Sequence, residues 1–330
     1  MTNVNPLLRV SGLTTTFATH GGVISAVEDV SFSLEPGEVL GLVGESGSGK
    51  SVTGLSIMGL IVPPGRVVAG SVEFRGIDLM TLSDAQLREV RGRDIAMIFQ
   101  DPMSSLNPLM KIGEQVGEVL EIHLGLSRKA SRARAIEMLQ LVGIPAPASR
   151  YDDFPYQFSG GMRQRVMIAI ALACDPKLLI ADEPTTALDV TIQAQILDLI
   201  RRVRSELGTS IIMITHDLGV IAGIADRILV MYSGHVVEAA SAGELFAAPE
   251  HPYTKGLLES VPRIDGPTTG ELRQVKGVPP DPANRPDGCP FNPRCTYVID
   301  RCRVERPPLA ETVPGRAKAC WVEIGAKGPM

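Results

Sequence analysis

The feature that most constrains the fold is a glycine-rich stretch, Gly44–Ser51, with the sequence GESGSGKS. It directly follows a short apolar run, Val39–Val43, and precedes a run with helical character that begins near Lys50. In such a strand–loop–helix unit, glycines let successive backbone N–H groups form a concave anion site at the start of the helix. The pattern therefore predicts a loop that binds nucleotide phosphates.

Each residue type in this loop has a predicted role. Lys50 supplies a positive charge to the β- and γ-phosphates, and the Ser51 hydroxyl ligates Mg²⁺. A glycine-rich turn that matches by chance is the alternative, and the ordered strand, loop and helix argue against it. The residues predicted to bind ATP here are Gly44, Glu45, Ser46, Gly47, Ser48, Gly49, Lys50 and Ser51.

A second element is the apolar run Leu178–Ala181, which ends in Asp182 and Glu183. A continuous apolar run is expected for a parallel strand that is covered on both faces. Asp182 is predicted to hold Mg²⁺ directly or through water, and Glu183 to polarise the attacking water. An acidic pair after a strand is commonly only a solvated strand end, but its combination with Gly44–Ser51 favours the functional interpretation.

Further segments resemble those of ABC-type ATPases. Residues 158–164, FSGGMRQ, resemble the signature motif of that family. Gln100 resembles the glutamine of its glutamine loop, His216 resembles its switch histidine, and Thr186–Asp189 resembles the loop by which two subunits meet. The signature departs from the most usual sequence, because Phe158 and Met162 stand in place of Leu and Gln.

The resemblance implies a head-to-tail pair of ATPase subunits in which one subunit covers the nucleotide of the other. His216 would contact the γ-phosphate, and Gln100 would join Ser51 and Asp182 at Mg²⁺. Phe17 is the candidate for stacking on adenine, with His20 as a competitor and a core strand position as the alternative. The signature residues that would cover the partner's ATP are Ser159, Gly160, Gly161 and Met162.

The predicted fold class is α/β, a P-loop NTPase of the ABC type with a mixed sheet core and an antiparallel β subdomain. Helical periodicity dominates residues 110–174, so a helical subdomain is predicted at about 101–174. The predicted ATP-binding domain covers residues 1–250. Residues 251–330 form a predicted proline-rich, cysteine-rich irregular module.

Within the family, the chain resembles the ATP-binding subunits of dipeptide and oligopeptide importers. This resemblance rests on Gly44–Ser51, Gln100–Pro108, His251–Gly256 and Cys289–Cys295. It implies a second ATPase subunit (a paralogue or a second copy), two transmembrane permeases, an extracytoplasmic peptide-binding protein, and a peripheral location on the cytoplasmic face of the inner membrane. Related subunits serve nickel and other small solutes, so that alternative stays open.

The C-terminal cysteines follow the spacing Cys-x5-Cys-x6-Cys-x17-Cys. Four thiols grouped in an intracellular protein are more often metal ligands than disulfide partners. No short Cys-x2–4-Cys pair of the kind typical of zinc is present, so the spacing favours a [4Fe–4S] cluster, with structural zinc or free thiols as alternatives. The predicted ligands are Cys289, Cys295, Cys302 and Cys320.

Composition argues against several other classes. The 32 basic and 37 acidic residues leave a net charge of −5, which disfavours a protein that coats nucleic acid. The longest clean apolar run, Val166–Cys174, is about half the length of a membrane-spanning helix, so a soluble intracellular chain is expected.

The motifs argue against other ATPase classes. The segment between Lys50 and Gly160 has no sustained heptad repeat of the kind that forms a long coiled coil, which disfavours a chromosome-type ATPase. A translation factor of this family normally carries two cassettes, so the single phosphate loop disfavours that class. A subunit that only binds ATP would lack catalytic residues, so the presence of Glu183 and His216 disfavours that class as well.

Overall fold

The computed structural model describes residues 5–101, 105–186, 189–260 and 275–324. Residues 102–104, which belong to the segment after Gln100, lie outside the described residues, as do Ala187 and Leu188 of the predicted subunit-contact loop and residues 261–274 and 325–330 of the predicted C-terminal module. The element bounds below refer to the described ranges.

The strands in chain order are β1 (Leu8–Thr19), β2 (Gly22–Leu34), β3 (Val39–Val43), β4 (Gly65–Phe74), β5 (Ile77–Asp78), β6 (Ile95–Ile98), β7 (Leu178–Asp182), β8 (Ser210–Thr215), β9 (Arg227–Tyr232), β10 (His235–Ser241), β11 (Ala310–Val313) and β12 (Arg316–Lys318). The α-helices are α1 (Lys50–Ile57), α2 (Asp84–Val90), α3 (Ile112–Leu124), α4 (Arg128–Leu141), α5 (Pro147–Arg150), α6 (Gly160–Leu172), α7 (Val190–Leu207), α8 (Leu218–Ala222), α9 (Ala242–Ala247), α10 (Pro252–Glu259) and α11 (Asp300–Val304).

The chain divides into two compact units. The first contains the described residues of Met1–Leu34, Val39–Met80 and Ile214–Met330. It holds an antiparallel sheet in the order β2-β1-β4-β5. In a second set of strands, β3 is parallel to β9, β9 is antiparallel to β10, and β12 pairs with both β10 and β11. All five residues of β3 are buried, as expected for a strand covered on both faces.

The second unit contains Glu35–Glu38 and the described residues of Thr81–Met213. Its parallel pair β6 and β7 is buried along its whole length. Its helices α3, α4 and α6 pack on one another through apolar faces that include Val116, Leu120, Leu139 and Val166. The described part of residues 110–174 contains no strand, which agrees with the helical periodicity of that stretch.

Local sequence signals predict several element ends. Ser83 caps α2 with a reciprocal capping box to Gln86, and Gly208 ends α7 in the left-handed region at φ 64°. Ser233 and Gly234 form a two-residue hairpin turn, since His235 pairs with Tyr232 across it. These signals are local, since a cap or a two-residue turn needs only its immediate neighbours.

The proline-rich C-terminal region is predicted to be irregular, but part of it has regular structure. The structure has two short strands there, and β12 extends the first unit's sheet through Lys318, which pairs with Glu238 of β10. Short strands at a sheet edge have little sequence periodicity, so pairing with a neighbouring strand determines whether they form. The predicted domain boundary at residue 250 stays a prediction.

Gly113 and Gly243 provide a matched pair that tests the packing of the second unit. Each is the second residue of its helix. A Cβ on Gly113 would stand 2.0 Å from Cδ2 of the buried Tyr151 ring, whereas a Cβ on Gly243 meets no atom within 4 Å. We expect Gly113→Ala to lower the free energy of unfolding by about 1–3 kcal/mol. Gly243→Ala should leave it unchanged or raise it by up to about 1 kcal/mol. Urea denaturation measures both, and equal effects would contradict the packing.

Candidate functional site

The loop Gly44–Ser51 connects β3 to α1, and two of its glycines lie where a side chain cannot be accommodated. Gly49 has φ 103°, and a Cβ on it would stand 2.6 Å from the Ala26 carbonyl oxygen. A Cβ on Gly44 would stand 2.2 Å from the Met231 carbonyl oxygen. Glycine is required at both positions because larger residues would clash with backbone atoms.

Lys50 opens helix α1, and its side chain folds back over the loop. The ammonium Nζ donates to the carbonyl oxygen of Gly44 at 2.7 Å and to that of Glu45 at 2.9 Å. The residue is only 4% exposed. Ser51, half-buried in the first turn of α1, follows directly. A buried cation beside the N-terminus of an eight-residue helix is a suitable arrangement for binding phosphate.

The predicted acidic pair ends the buried strand β7. Asp182 is its last residue and is 5% exposed. Glu183 follows with φ 48°, in the left-handed region that a non-glycine residue seldom adopts. Such strain is concentrated at functional sites. Asp182 and Glu183 thus lie at the end of a buried strand, as the sequence predicts, and the strain at Glu183 is consistent with a functional role.

The structure brings Gln100 and Glu183 together within the second unit. Gln100 Nε2 donates to Glu183 Oε2 at 3.0 Å. Thr186 Oγ1 donates to the same oxygen at 2.8 Å. The sequence predicts Gln100 at Mg²⁺, and no local pattern in it predicts the contact of Gln100 with Glu183. The sequence places Thr186 only in the predicted subunit-contact loop, and no local pattern in it indicates the hydrogen bond to Glu183.

His216 lies directly after β8 in the first unit and is exposed. Its neighbours are held by local hydrogen bonds, because the Asp217 N–H donates to Thr215 Oγ1 at 3.0 Å and Asp217 Oδ1 accepts from the Gly219 N–H at 2.7 Å. This Asp217 cap starts α8. The backbone on either side of the predicted switch histidine is therefore well defined.

Phe17 lies on β1, opposite Ile24 of β2 and Gly65 of β4. Its ring is half-buried and covers Gly65 so closely that a Cβ there would stand 2.4 Å from the ring atom Cε1. The ring thus has a packing role within the antiparallel sheet. Its predicted stacking on adenine stays a prediction.

The predicted signature residues form the start of helix α6. Ser159 is the N-cap, and its Oγ accepts from the Met162 N–H at 3.3 Å. Ser159 and Gly160 are exposed. A Cβ on Gly161 would stand 2.9 Å from Cγ2 of Ile192 in α7, so a side chain there is excluded by packing. The helix start, with its N–H groups, is thus accessible to an anion.

The four C-terminal cysteines line one small cavity together with His251 and Phe291. Burial raises the pKa of the Cys289 thiol to about 11 and that of Cys295 to about 12. These two thiols are therefore protonated at neutral pH, and a metal would have to displace their protons. Among the described residues, no three His, Cys, Asp or Glu side chains are grouped closely enough to hold a metal ion. The structure does not support the predicted [4Fe–4S] cluster or the zinc alternative, because the thiols share a cavity without forming a ligand set.

Comparisons with known proteins agree with these features. A family profile described as "ABC transporter" matches residues 27–186, and one described as "Oligopeptide/dipeptide transporter, C-terminal region" matches residues 237–302. The oligopeptide transport ATP-binding protein OppD of Bacillus subtilis (strain 168) is 53% identical over 98% of this chain and 90% of its own length. The dipeptide transport ATP-binding protein DppD of Escherichia coli (strain K12) is 51% identical over 98% of each chain.

A solved structure shows the same fold. The dimeric ATP-binding cassette MJ0796, in a post-hydrolysis state bound to ADP and Pi, has a TM-score of 0.65 and 30% identity. The match covers 71% of this chain and 98% of that one. None of the helices in the described ranges combines the length and the hydropathy that a membrane span requires.

The loop at Gly44–Ser51, the carboxylates after β7 and the α/β architecture define a P-loop nucleotide triphosphatase. The similarity to transport ATP-binding proteins over nearly the full chain identifies a narrower family within that class. The chain belongs to the family of ABC transporter ATP-binding proteins, and it is an ATPase for which ATP and Mg²⁺ are the expected ligands.

The steric requirement at Gly49 predicts the effect of a single methyl group. Gly49→Ala forces an alanine into a left-handed backbone against the Ala26 carbonyl, at a cost of about 1–3 kcal/mol. We expect the variant to fold and its affinity for MgATP to fall at least about tenfold, because the loop must shift. Gly21→Ala, at an exposed turn without such crowding, is the control. Titration with a fluorescent ATP analogue measures both variants, and wild-type affinity in Gly49→Ala would contradict the prediction.

Proposed function

We propose that this chain is the ATP-hydrolysing subunit of an importer for dipeptides and oligopeptides, acting on partner transmembrane permeases. The observation that carries the proposal is the match of residues 237–302 to the C-terminal region of oligopeptide and dipeptide transporters. That region follows the part of the chain that matches the ABC transporter profile. It favours peptides over nickel or another small solute, and a transport ATPase over a non-transport one.

In this proposal, the backbone of Gly44–Ser51 and the Lys50 ammonium bind the β- and γ-phosphates. Ser51, Asp182 and Gln100 would hold Mg²⁺. Their hydroxyl, carboxylate and carboxamide oxygens are hard donors, which is the ligand type that Mg²⁺ prefers. When bound there, Mg²⁺ would supply positive charge that offsets the negative charge of the phosphates. The half-buried ring of Phe17 is the candidate for packing against adenine.

Glu183 is the proposed general base, and His216 the proposed contact to the γ-phosphate. The hydrogen bonds from Gln100 and Thr186 both go to Glu183 Oε2, so they orient the carboxylate. An oriented carboxylate polarises a water better than a freely rotating one, because less reorganisation precedes proton transfer.

The signature residues Ser159–Met162 are proposed to cover the nucleotide of a second ATPase subunit, a paralogue or another copy. The exposed N-terminus of α6 supports this role, since its N–H groups attract anions. The dimeric MJ0796 cassette with ADP and Pi is a related assembly. ATP binding would then close the pair and hydrolysis would open it.

The remaining partners follow from the importer proposal. The helical subdomain at about 101–174 would bind to the two permeases. An extracytoplasmic peptide-binding protein would deliver the solute to them. The chain would then work as a peripheral subunit on the cytoplasmic face of the inner membrane. The division into a domain at 1–250 and a module at 251–330 is part of this proposal.

Glu183→Gln tests the proposed base. The variant keeps the size and the hydrogen-bonding positions of the side chain but cannot accept a proton, so we expect ATP binding to persist and kcat to fall by about 10²- to 10⁴-fold. Glu206→Gln, the same substitution at an exposed position of α7, should keep wild-type turnover. Phosphate release and nucleotide binding are measured on the assembled complex. Normal turnover in Glu183→Gln would reject the assignment.

Uptake in a strain that lacks the gene tests the solute. The wild-type chain should restore import of a radiolabelled dipeptide, and Glu183→Gln should not. Restored uptake of nickel with no dipeptide uptake would replace the peptide proposal by its alternative. No effect on either solute, with normal ATPase activity, would reject both.

Metal ligation by the four cysteines stays a prediction from their spacing. Its support is that all four line the same cavity, and a metal crosslink would stabilise a region with little apolar core of its own. Anaerobically purified protein should be brown and contain iron, with the iron lost in Cys295→Ser and retained in Cys174→Ser. Colourless protein with one zinc would select the zinc alternative. Protein without either metal would leave four free thiols and refute ligation.

A further inference from the structure

A side chain from the C-terminal region holds Glu45, the residue after the first glycine of the phosphate-binding loop. Arg294 Nη1 donates to Glu45 Oε2 at 2.6 Å, and Arg294 Nη2 donates to Glu45 Oε1 at 2.9 Å. The Arg294 side chain is 4% exposed and that of Glu45 is 27% exposed. A bidentate pair of this kind fixes the relative geometry of the two side chains more closely than an exposed, single-contact ion pair does.

The remaining donors of Arg294 are also used. Nε donates to the Lys276 carbonyl at 3.0 Å, Nη2 to the Val275 carbonyl at 3.2 Å, and Nη1 to the Tyr232 hydroxyl at 3.3 Å. With the two bonds to Glu45, these contacts account for all five N–H groups of the guanidinium. The orientation of Arg294 is therefore fixed by its surroundings, and the position of the Glu45 carboxylate is fixed with it.

Tyr253 makes a second contact with the same loop residue. Its hydroxyl oxygen accepts from the Glu45 N–H at 2.8 Å. The ring is fully buried against Tyr232, with centroids 4.6 Å apart. Burial raises the pKa of Tyr253, which keeps the hydroxyl neutral. His251 caps helix α10 by accepting from the Tyr253 N–H at 3.1 Å. This cap fixes the backbone from which the tyrosine projects.

Glu45 thus connects the C-terminal contacts to the lysine that binds phosphate. Its N–H is bound by Tyr253, its carboxylate by Arg294, and its carbonyl oxygen by Lys50 Nζ at 2.9 Å. Loop backbone that is held at both peptide groups has few alternative conformations. A shift of Glu45 would move one of the carbonyls that positions the Lys50 ammonium.

We propose that Arg294 and Tyr253 are positioning residues for ATP binding, which act through Glu45 to hold the phosphate-binding loop in its competent shape. The inference rests on the ATPase function of the chain and on the assignment of Gly44–Ser51 as the phosphate site. ATP affinity then depends on residues beyond position 250. A preformed loop binds more tightly because less conformational freedom is lost on binding.

The competing interpretation is that these contacts only attach the C-terminal region to the rest of the first unit. Their loss would then lower the free energy of unfolding and leave ATP affinity unchanged. The two interpretations therefore differ in the quantity that changes, and both quantities can be measured on the same variants.

The test uses the full-length chain and the nonhydrolysable analogue AMP-PNP with Mg²⁺. We expect Arg294→Gln and Tyr253→Phe to raise its Kd by about five- to twentyfold, the loss expected for one strong polar contact. In the complex with its permeases, KM for ATP should rise by a similar factor while kcat changes less than about twofold, because the contacts shape the site without touching the reacting atoms. Arg303→Gln, at an exposed position of the same region, should bind like wild type.

A double-mutant cycle gives the sharper result. Arg294→Gln and Glu45→Gln remove the same ion pair, so the double variant should bind AMP-PNP no more weakly than the weaker single variant. Unchanged Kd in Arg294→Gln and Tyr253→Phe with a lowered urea midpoint would overturn the proposal, as would additive losses in the cycle. If Arg294→Gln does not fold, Tyr253→Phe and Glu45→Gln decide by the same criterion. Wild-type protein that fails to bind AMP-PNP would instead reject the loop assignment.

Discussion

The proposed nucleotide site depends on a steric condition in the loop between β3 and α1. At Gly44 and Gly49 the loop backbone lies so close to the carbonyl oxygens of Met231 and Ala26, respectively, that a Cβ at either glycine would clash with them. Because both contacts are with backbone atoms, the neighbours cannot relax by changing rotamer. This close approach places Lys50 at the start of α1 with its ammonium over the loop, and the predicted phosphate chemistry follows from that position.

A second constraint acts on the carboxylates after β7. Glu183 adopts a left-handed backbone conformation, and the hydrogen bonds from Gln100 and Thr186 hold its side chain. A strained backbone persists only where surrounding contacts stabilise it. The proposed base is therefore held by two side chains from different segments, and Gln100 gains a role in orienting Glu183 besides its predicted one at Mg²⁺.

The C-terminal region is integrated into the first unit by specific polar contacts. Strand β12 pairs with β10, and Arg285 and Arg306 each bind a different oxygen of Glu28 at 2.9 Å. Arg294 and Tyr253 reach the phosphate-binding loop itself through Glu45. A region with few buried apolar side chains is thus attached by charged and aromatic contacts. This arrangement gives the region matched by the peptide-transporter profile a physical connection to the proposed nucleotide site.

The sequence alone determined the elements whose causes are local: the loop Gly44–Ser51, the buried strand that ends in Asp182, the Ser83 cap and the Gly208 helix end. Each depends on residue types within a few positions, so spacing is sufficient to predict it. Only the tertiary structure decided the contacts between distant segments. Gln100 and Glu183 are 83 positions apart, and Glu45 and Arg294 are 249 apart. Such pairs leave no periodic trace because the folded backbone, and not neighbouring residues, brings them together. Cysteine spacing has the same limit: the four thiols line one cavity, but no three of them are grouped closely enough to hold a metal ion in the described part of the chain, so ligation stays a prediction.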